Sequence, residues 1–430
     1  MFHGSLFHDP SRIMQGTGPR KVALSHPSSK ETSQASHPQR LPGSTASTAA
    51  GGGRASLAMG GASQPSLQQG KHAQLRSFTA IHPSHFRLPN QPGSLQIMTM
   101  LRILITGLSC LLIGSSLHAA EPIKVGLIGL DTSHVIAFTR ILNDSSHPDH
   151  VPGARVIAAF KGGSPDVESS RTRIDRFTSQ LENEFGIKLI PSISELCHTV
   201  DAILLESVDG RPHLAQAREV IRSGKPLFID KPVAGSLRDA LEIYRLAQEA
   251  NVPCFSSSSY RFYPSLKALQ QADIGTVRGA ISYGPCHLEP HHPDLYWYGV
   301  HPTEALFTIL GTGCLEVSRI KTPETDVVSG RWTEDRTGVL YGLRTGRTPH
   351  KVIAFGEKGV AEQGSGGGYA PLVQEIVEFF QTKQPPVSME ETIEMFAFME
   401  AADESHRQGG KPVLIADLIR QHGGSWFLSP

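Results

Sequence analysis

The chain has 430 residues, more than one hydrophobic core usually fills, so two domains with extensions are expected. Its 40 lysines and arginines balance 40 aspartates and glutamates, and no basic stripe is interleaved with aromatics, which argues against a nucleic-acid or anionic-membrane partner. The five cysteines, Cys110, Cys197, Cys254, Cys286 and Cys314, have neither zinc-ribbon nor CxxC spacing.

Residues 1–97 are rich in Ser, Gly, Pro, Gln and His and carry too little apolar surface to offset chain entropy, so a disordered or non-native extension is expected there. Residues 98–120 hold one arginine, an apolar run and small residues before Glu121, the outline of a secretory signal. The run is too short for a comfortable membrane span. A periplasmic or secreted mature chain starting near Glu121 is the expectation.

From 121 to 262, short apolar runs alternate with amphipathic segments. Strands are expected at Ile123–Gly129, Arg155–Phe160, Leu189–Ile190, Ala202–Leu205, Pro226–Ile229 and Val252–Phe255. Helices are expected after Ser133 and over Ile174–Phe185, Ile193–Cys197, His213–Ser223 and Leu237–Ala250. Strand–helix alternation at this spacing needs crossover connections, and so predicts an α/β, Rossmann-type doubly wound parallel sheet. Over 263–430 the texture changes. Thr276–Tyr283, Leu315–Lys321, Thr325–Trp332, Thr337–Leu343 and Lys351–Gly356 read as strands without intervening helices, followed by helices near Leu372–Gln381 and Met389–Gln408. This predicts an α+β domain with an open, mostly antiparallel sheet.

The first strand runs into Gly129-Leu130-Asp131-Thr132-Ser133-His134, where a dinucleotide fold places its glycine-rich turn at a helix N-terminus. Against GxGxxG only Gly129 is kept; Asp131 and His134 occupy the other glycine positions. Asp131, Thr132 and Ser133 read either as helix caps or as phosphate and ligand contacts. The second strand ends at Phe160-Lys161-Gly162-Gly163-Ser164 without an acidic ribose partner, and Lys161 reads as a solvated lysine or as a contact to a 2′-phosphate. NAD and NADP both stay open as cofactors.

The fifth strand delivers Asp230-Lys231-Pro232 at its carboxyl end, where open α/β sheets bind ligands. Glu206 to His213, after the fourth strand, faces the same crevice. Asp230-Lys231-Pro232, the 208–213 turn with His213, and Tyr260-Arg261-Phe262-Tyr263-Pro264 together resemble, in order and spacing, the glucose–fructose oxidoreductase, inositol dehydrogenase and MocA (Gfo/Idh/MocA) family. The resemblance covers residues from about Ile123 to Val413. It implies an NAD(P)-dependent oxidoreductase acting on a secondary hydroxyl of a sugar, cyclitol or sugar derivative. His301 stands where the family has its acid/base histidine, whereas Trp297 replaces the aspartate four residues earlier. Glu304, one helical turn after His301, is expected to orient its imidazole.

The resemblance implies that Lys231 fixes the substrate hydroxyl and lowers its pKa while His301 takes the proton as hydride leaves carbon. Gly129, Asp131, Thr132, Ser133, His134, Lys161, Glu206 and Lys231 are the expected cofactor contacts. His213, Arg261, Trp297 and His301 are the expected substrate contacts. The loop Cys286–Asp294 lacks a regular metal-ligand spacing, so no metal is assigned. The family also implies self-association through the second sheet. The two lost glycines and the lost aspartate motivate a second reading, a catalytically silent carbohydrate-binding protein that kept the fold.

Overall fold

The structure is a computed structural model and describes residues 121–428. The extension expected over 1–97 and the export signal expected over 98–120 lie outside the described residues.

The first layer is built from apolar runs too short to be helices. β1 (Ile123–Ile128), β2 (Ala154–Phe160), β3 (Lys188–Leu189), β4 (Ala202–Leu205), β5 (Leu227–Asp230) and β6 (Cys254–Ser257) pair in parallel in the order β3-β2-β1-β4-β5-β6. β4, β5 and β6 are buried at every residue, as parallel strands covered on both faces must be. The covering helices are α1 (His134–Asn143), the short α2 (Glu168–Arg171), α3 (Ile174–Phe185), α4 (Ile193–Thr199), α5 (His213–Arg222) and α6 (Leu237–Glu249). Their ends follow the local sequence. Ser192 and Ser236 cap α4 and α6 by accepting from the amides of Glu195 and Asp239, and α3 stops at Gly186 in the left-handed conformation. The strand order reverses between β1 and β4, which opens a crevice at their carboxyl ends.

A 3-10 turn, Ser259–Phe262, and α7 (Pro264–Gln270) lead into the second sheet. That sheet comprises β7 (Val277–Pro285), β8 (Cys314–Lys321), β9 (Thr325–Trp332), β10 (Thr337–Leu343), β11 (Lys351–Gly356), β12 (Val360–Glu362) and β13 (Val413–Leu414), in the order β12-β11-β7-β10-β9-β8-β13. All pairs are antiparallel except β7 with β10, which run parallel. The expectation that no helix interrupts these strands is corrected: α8 (Asp294–Trp297) and α9 (Val300–Leu310) intervene between β7 and β8. α9 is apolar on almost every side because it is wedged between the sheet and the first domain, and this hides its helical period from the sequence.

The last helices divide the domains differently from a simple cut at 262. α10 (Ala370–Thr382) packs Leu372, Val373, Ile376, Phe379 and Phe380 with Phe138 and Phe255 of the Rossmann layer. α11 (Met389–Arg407) lies on the second sheet, and α12 (Ile415–Gln421) closes the chain beside it. Among the described residues no helix is long and apolar enough to cross a membrane.

Candidate active site

The β1–α1 turn is shaped by one glycine. Gly129 has φ +84°, and a Cβ there would lie 2.2 Å from Ser207 Oγ, so the approach of the β1 and β4 ends requires a residue with no side chain. Gly129 N–H and Leu130 N–H donate to the carbonyls of Phe160 and Lys161 at 3.0 and 2.9 Å. The turn is thereby stitched to the segment after β2 rather than left open.

Asp131 does not fill the second-glycine position with charge facing the ligand. It is fully buried, accepting from Val208 N–H at 2.9 Å and from Ser170 Oγ–H at 2.6 Å. Ser164 Oγ–H donates to Asp209 at 2.6 Å, and Gly162 packs against Gly129. Burial alone would raise the Asp209 carboxyl, but hydrogen bonds from His292, Arg211 and Ser164 hold it well below the usual carboxylate range. These contacts fold residues 161–172 across the turn. Lys161 pairs with exposed Asp175 at 2.7 Å and does not line the cleft, in keeping with its reading as a solvated lysine.

What remains at the strand ends is a cleft of about 380 Å³, of a size that takes a small ligand. Thr132, Ser133 and His134 open α1 along its wall; the Ser133 side chain does not cap the helix, and Thr132 Oγ1 accepts from the His134 amide at 3.4 Å. Beyond the His134 amide, the amides of the first turn of this ten-residue helix can meet an anion. Lys231 enters from β5, His301 and Trp297 from the second domain, and Arg173 from the stretch before α3. The Lys231 ammonium makes no hydrogen bond or ion pair with another described residue, so it is available to a ligand. Burial lowers the pKa of the Arg173 guanidinium. Its Nε–H donates to the Ser169 carbonyl.

His301 Nδ1 lies 2.7 Å from Ser258 Oγ, which also accepts from the Tyr260 amide at 3.2 Å. That leaves Nε2 for the cleft. Burial first, then the charge of Lys231 and neighbouring His350 and His134, holds the His301 pKa well below that of an ordinary histidine, so the ring is neutral at pH 7. His350 stands 5.4 Å away, centroid to centroid, and burial brings its pKa down to about 4.

Several expected site residues are placed elsewhere. Glu304 does not touch His301: Ser257 Oγ–H, Ser258 N–H and Arg261 Nε–H all donate to it, the last two at 2.7 and 2.8 Å. It braces the Ser257–Ser258 strand end that carries the histidine's partner. Arg261 is spent on Glu304 and Glu391 and does not line the cleft. His213 is buried between the carbonyls of Ser207 and Val233, so it holds the β4–α5 turn in place of substrate. Gly129 and Asp131 lie beneath the cleft wall, as does Glu206. Burial first, then the charge of Asp230, raises the Glu206 pKa far above its usual range.

Of the expected set, the structure brings together Thr132, Ser133, His134, Lys231, Trp297 and His301. Tyr260, Tyr263, Tyr298, His350 and Tyr369 complete the wall and were not anticipated as contacts. A run of aromatics flanking His301 and Arg261 was the available signal for the first three. Nothing local announces His350 or Tyr369.

The residues fit the diphosphate and reactive end of a nicotinamide dinucleotide, through the open α1 N-terminus and Lys231. At the adenosine end residues 161–172 lie over the turn, and β2 offers no acidic ribose partner.

Residues 123–258 match the family described as "Oxidoreductase family, NAD-binding Rossmann fold". A relative from Salmonella typhimurium described as "Putative oxidoreductase YceM" is 27% identical over 124 residues, 29% of this chain and 36% of its own length. Among solved structures, the fold is similar to scyllo-inositol dehydrogenase from Lactobacillus casei with bound NAD(H) and scyllo-inositol, at TM-score 0.57 and 15% identity over 69% of this chain and 100% of that one. Myo-inositol 2-dehydrogenase from Lactobacillus plantarum gives TM-score 0.56 and 16% identity over 68% of this chain and 99% of that one.

Proposed function

From the premise that residues 123–258 are the NAD-binding domain of the Gfo/Idh/MocA oxidoreductase family, we propose that this protein is an NAD-dependent dehydrogenase oxidising a secondary hydroxyl of a sugar or cyclitol. The observation that carries the reading is the meeting of Lys231 and His301 in one cleft beside the open N-terminus of α1.

Bound NAD supplies the hydride acceptor. The α1 amides and Lys231 attract its diphosphate end. The Lys231 ammonium stabilises developing charge on the substrate oxygen, as a preorganised cation in a partly water-excluded site does. Neutral His301 accepts the hydroxyl proton at Nε2 when Nδ1–H donates to Ser258 Oγ. Tyr260, Tyr263, Trp297, Tyr298 and Tyr369 provide the aromatic faces and hydroxyls that suit a polyhydroxylated ring. Arg173 adds a second cation, which favours a substrate bearing a carboxylate or another acidic group.

Self-association belongs to the same reading: Ile320, Tyr341, Phe355 and Val360 leave apolar surface on the second sheet and its edge. So does export, on the strength of 98–120, with NAD retained tightly enough to copurify.

The test is titration of the purified chain with NADH by fluorescence quenching, followed by turnover assays with cyclitols, sugars and sugar acids. NAD reduction by at least one of them, falling roughly 100- to 1,000-fold in kcat in Lys231→Met, is the expected result. Absence of NADH binding with a sugar still bound would sink the proposal in favour of a silent binding protein.

A further inference from the structure

Beneath the cleft, the sheet itself creates a charge problem. β4 and β5 are parallel neighbours with Leu205 opposite Ile229, so the next rung sets Glu206 opposite Asp230. Residues on one rung project to the same face, about 5 Å apart, and like charges directly opposed destabilise a strand pair. Both residues are buried, Glu206 completely. Neither Glu206 oxygen has a hydrogen-bond partner, and Asp230 Oδ1 also has none. Asp230 Oδ2 is 2.7 Å from His134 Nδ1, and the His134 ring is fixed by stacking on Phe138 and by the edge of Tyr369. One ligand atom from each of His134, Glu206 and Asp230 lies within 4.8 Å of the others.

Three unsatisfied buried carboxylate oxygens clustered beside an imidazole call for a positive occupant. The Lys231 charge is felt by both groups, yet its ammonium donates to neither carboxylate. A shared proton would satisfy one oxygen and leave the others orphaned. We propose that His134, Glu206 and Asp230 form a binding site for a divalent transition-metal cation of the zinc or manganese type.

Mixed imidazole and carboxylate donors suit that class better than calcium or magnesium, which favour all-oxygen shells. Three protein ligands also leave a fourth position open, the arrangement of reactive rather than structural zinc. Ligand atoms around such an ion sit roughly 3.4 Å apart, so on binding the 2.7 Å His134–Asp230 contact opens while the wider spacings, up to 4.8 Å, close by about an ångström. His134 exchanges its bond to Asp230 for the cation, and any proton on Glu206 leaves to solvent. His134 also lines the cleft, which puts the site beside the ligand space that Lys231 enters.

The site is tested without nucleotide, which separates its failure from that of the dehydrogenase reading. The full chain, stripped with EDTA and dialysed, is titrated calorimetrically with ZnCl2 and, separately, MnCl2 at pH 7.5. One cation per chain is expected, with heats that change with buffer ionisation as protons are released. Glu206→Gln, close to isosteric, is expected to weaken binding at least 100-fold while circular dichroism stays unchanged. Should that variant fail to fold, His134→Gln reads the same site from α1. No saturable binding of either cation to the wild type overturns the proposal. So does equal binding by both folded variants, which would mean adventitious capture by the many surface and N-terminal histidines.

Discussion

His301 owes its chemistry to what surrounds it. A histidine exposed to water would be partly protonated at neutral pH, but this ring is desolvated and faces Lys231, so it stays an acceptor. His301→Asn is expected to lower kcat/KM roughly 100- to 10,000-fold, the range for loss of a general base. In the wild type the acid limb of the kcat/KM profile should fall below pH 6.5, and the variant should lose that limb. A wild-type limb at or above 6.5 would contradict the burial argument. The buried histidines also set a stability trend. The unfolded chain protonates His350 near 6.5, the folded one only near 4, so across that window the unfolded state binds more protons and stability rises with pH. That stabilising contribution is complete above 6.5 and is lost as pH falls toward 4, by about 3 kcal/mol for a shift of this size. Urea midpoints of wild type and His350→Gln, compared at pH 7 and pH 4.5, should converge at the lower pH. Lys231 and His134 could be picked out because they fall at a strand end and a helix start that the sequence itself marks, whereas His301 and Trp297 came from their place in the family resemblance. Arg173, His350 and Tyr369 could not, since each reaches the cleft from a segment whose docking depends on distant packing.

At the element scale, the largest gap between sequence and structure is the β1–α1 turn. Asp131 looked like a ligand contact or a cap. It is instead a strut, joining the β4–α5 turn to α2 through Val208 and Ser170. No spacing rule announces a carboxylate whose two partners lie 39 and 77 residues away in the chain. The second domain has its own strut. Arg319 on β8 is fully buried and paired with Asp326 on β9, Asp403 on α11 and Asp294 on α8. Asp326 gains Arg344 as a second partner, whereas Asp403 has only Arg319 among its ion pairs, and burial raises its pKa to about 6. Removing one member of such a network leaves uncompensated buried charge, so Arg319→Met is expected to cost about 3–5 kcal/mol in urea unfolding. A change under about 1 kcal/mol would mean that the network is solvated in solution.

At the scale of the whole molecule, the two layers share one core. Ile229, Leu241 and Tyr244 of the Rossmann layer pack in one continuous cluster with Phe307, Trp332 and Phe398 of the second domain. α10, coded late in the chain, returns to the first layer, where Phe379 meets Phe255 edge to face at 4.8 Å between centroids. The chain from 121 to 428 should therefore unfold in a single calorimetric transition, with Phe379→Ala lowering it by about 3–5 kcal/mol without splitting it. Two separated transitions would show that the layers melt independently.

The sequence by itself determined the strand–helix alternation, the positions of most strands, the lone glycine of the first turn and the lysine at the end of β5. These depend on periods of two and 3.6 residues and on backbone geometry, which act between near neighbours. Tertiary structure alone decided that Asp131 and Glu304 are struts, that α10 belongs to the first layer, and that His134, Glu206 and Asp230 converge. Those outcomes arise because parallel pairing places residues from separate strands on one rung, and because burial changes what a carboxylate or an imidazole can do once water is gone.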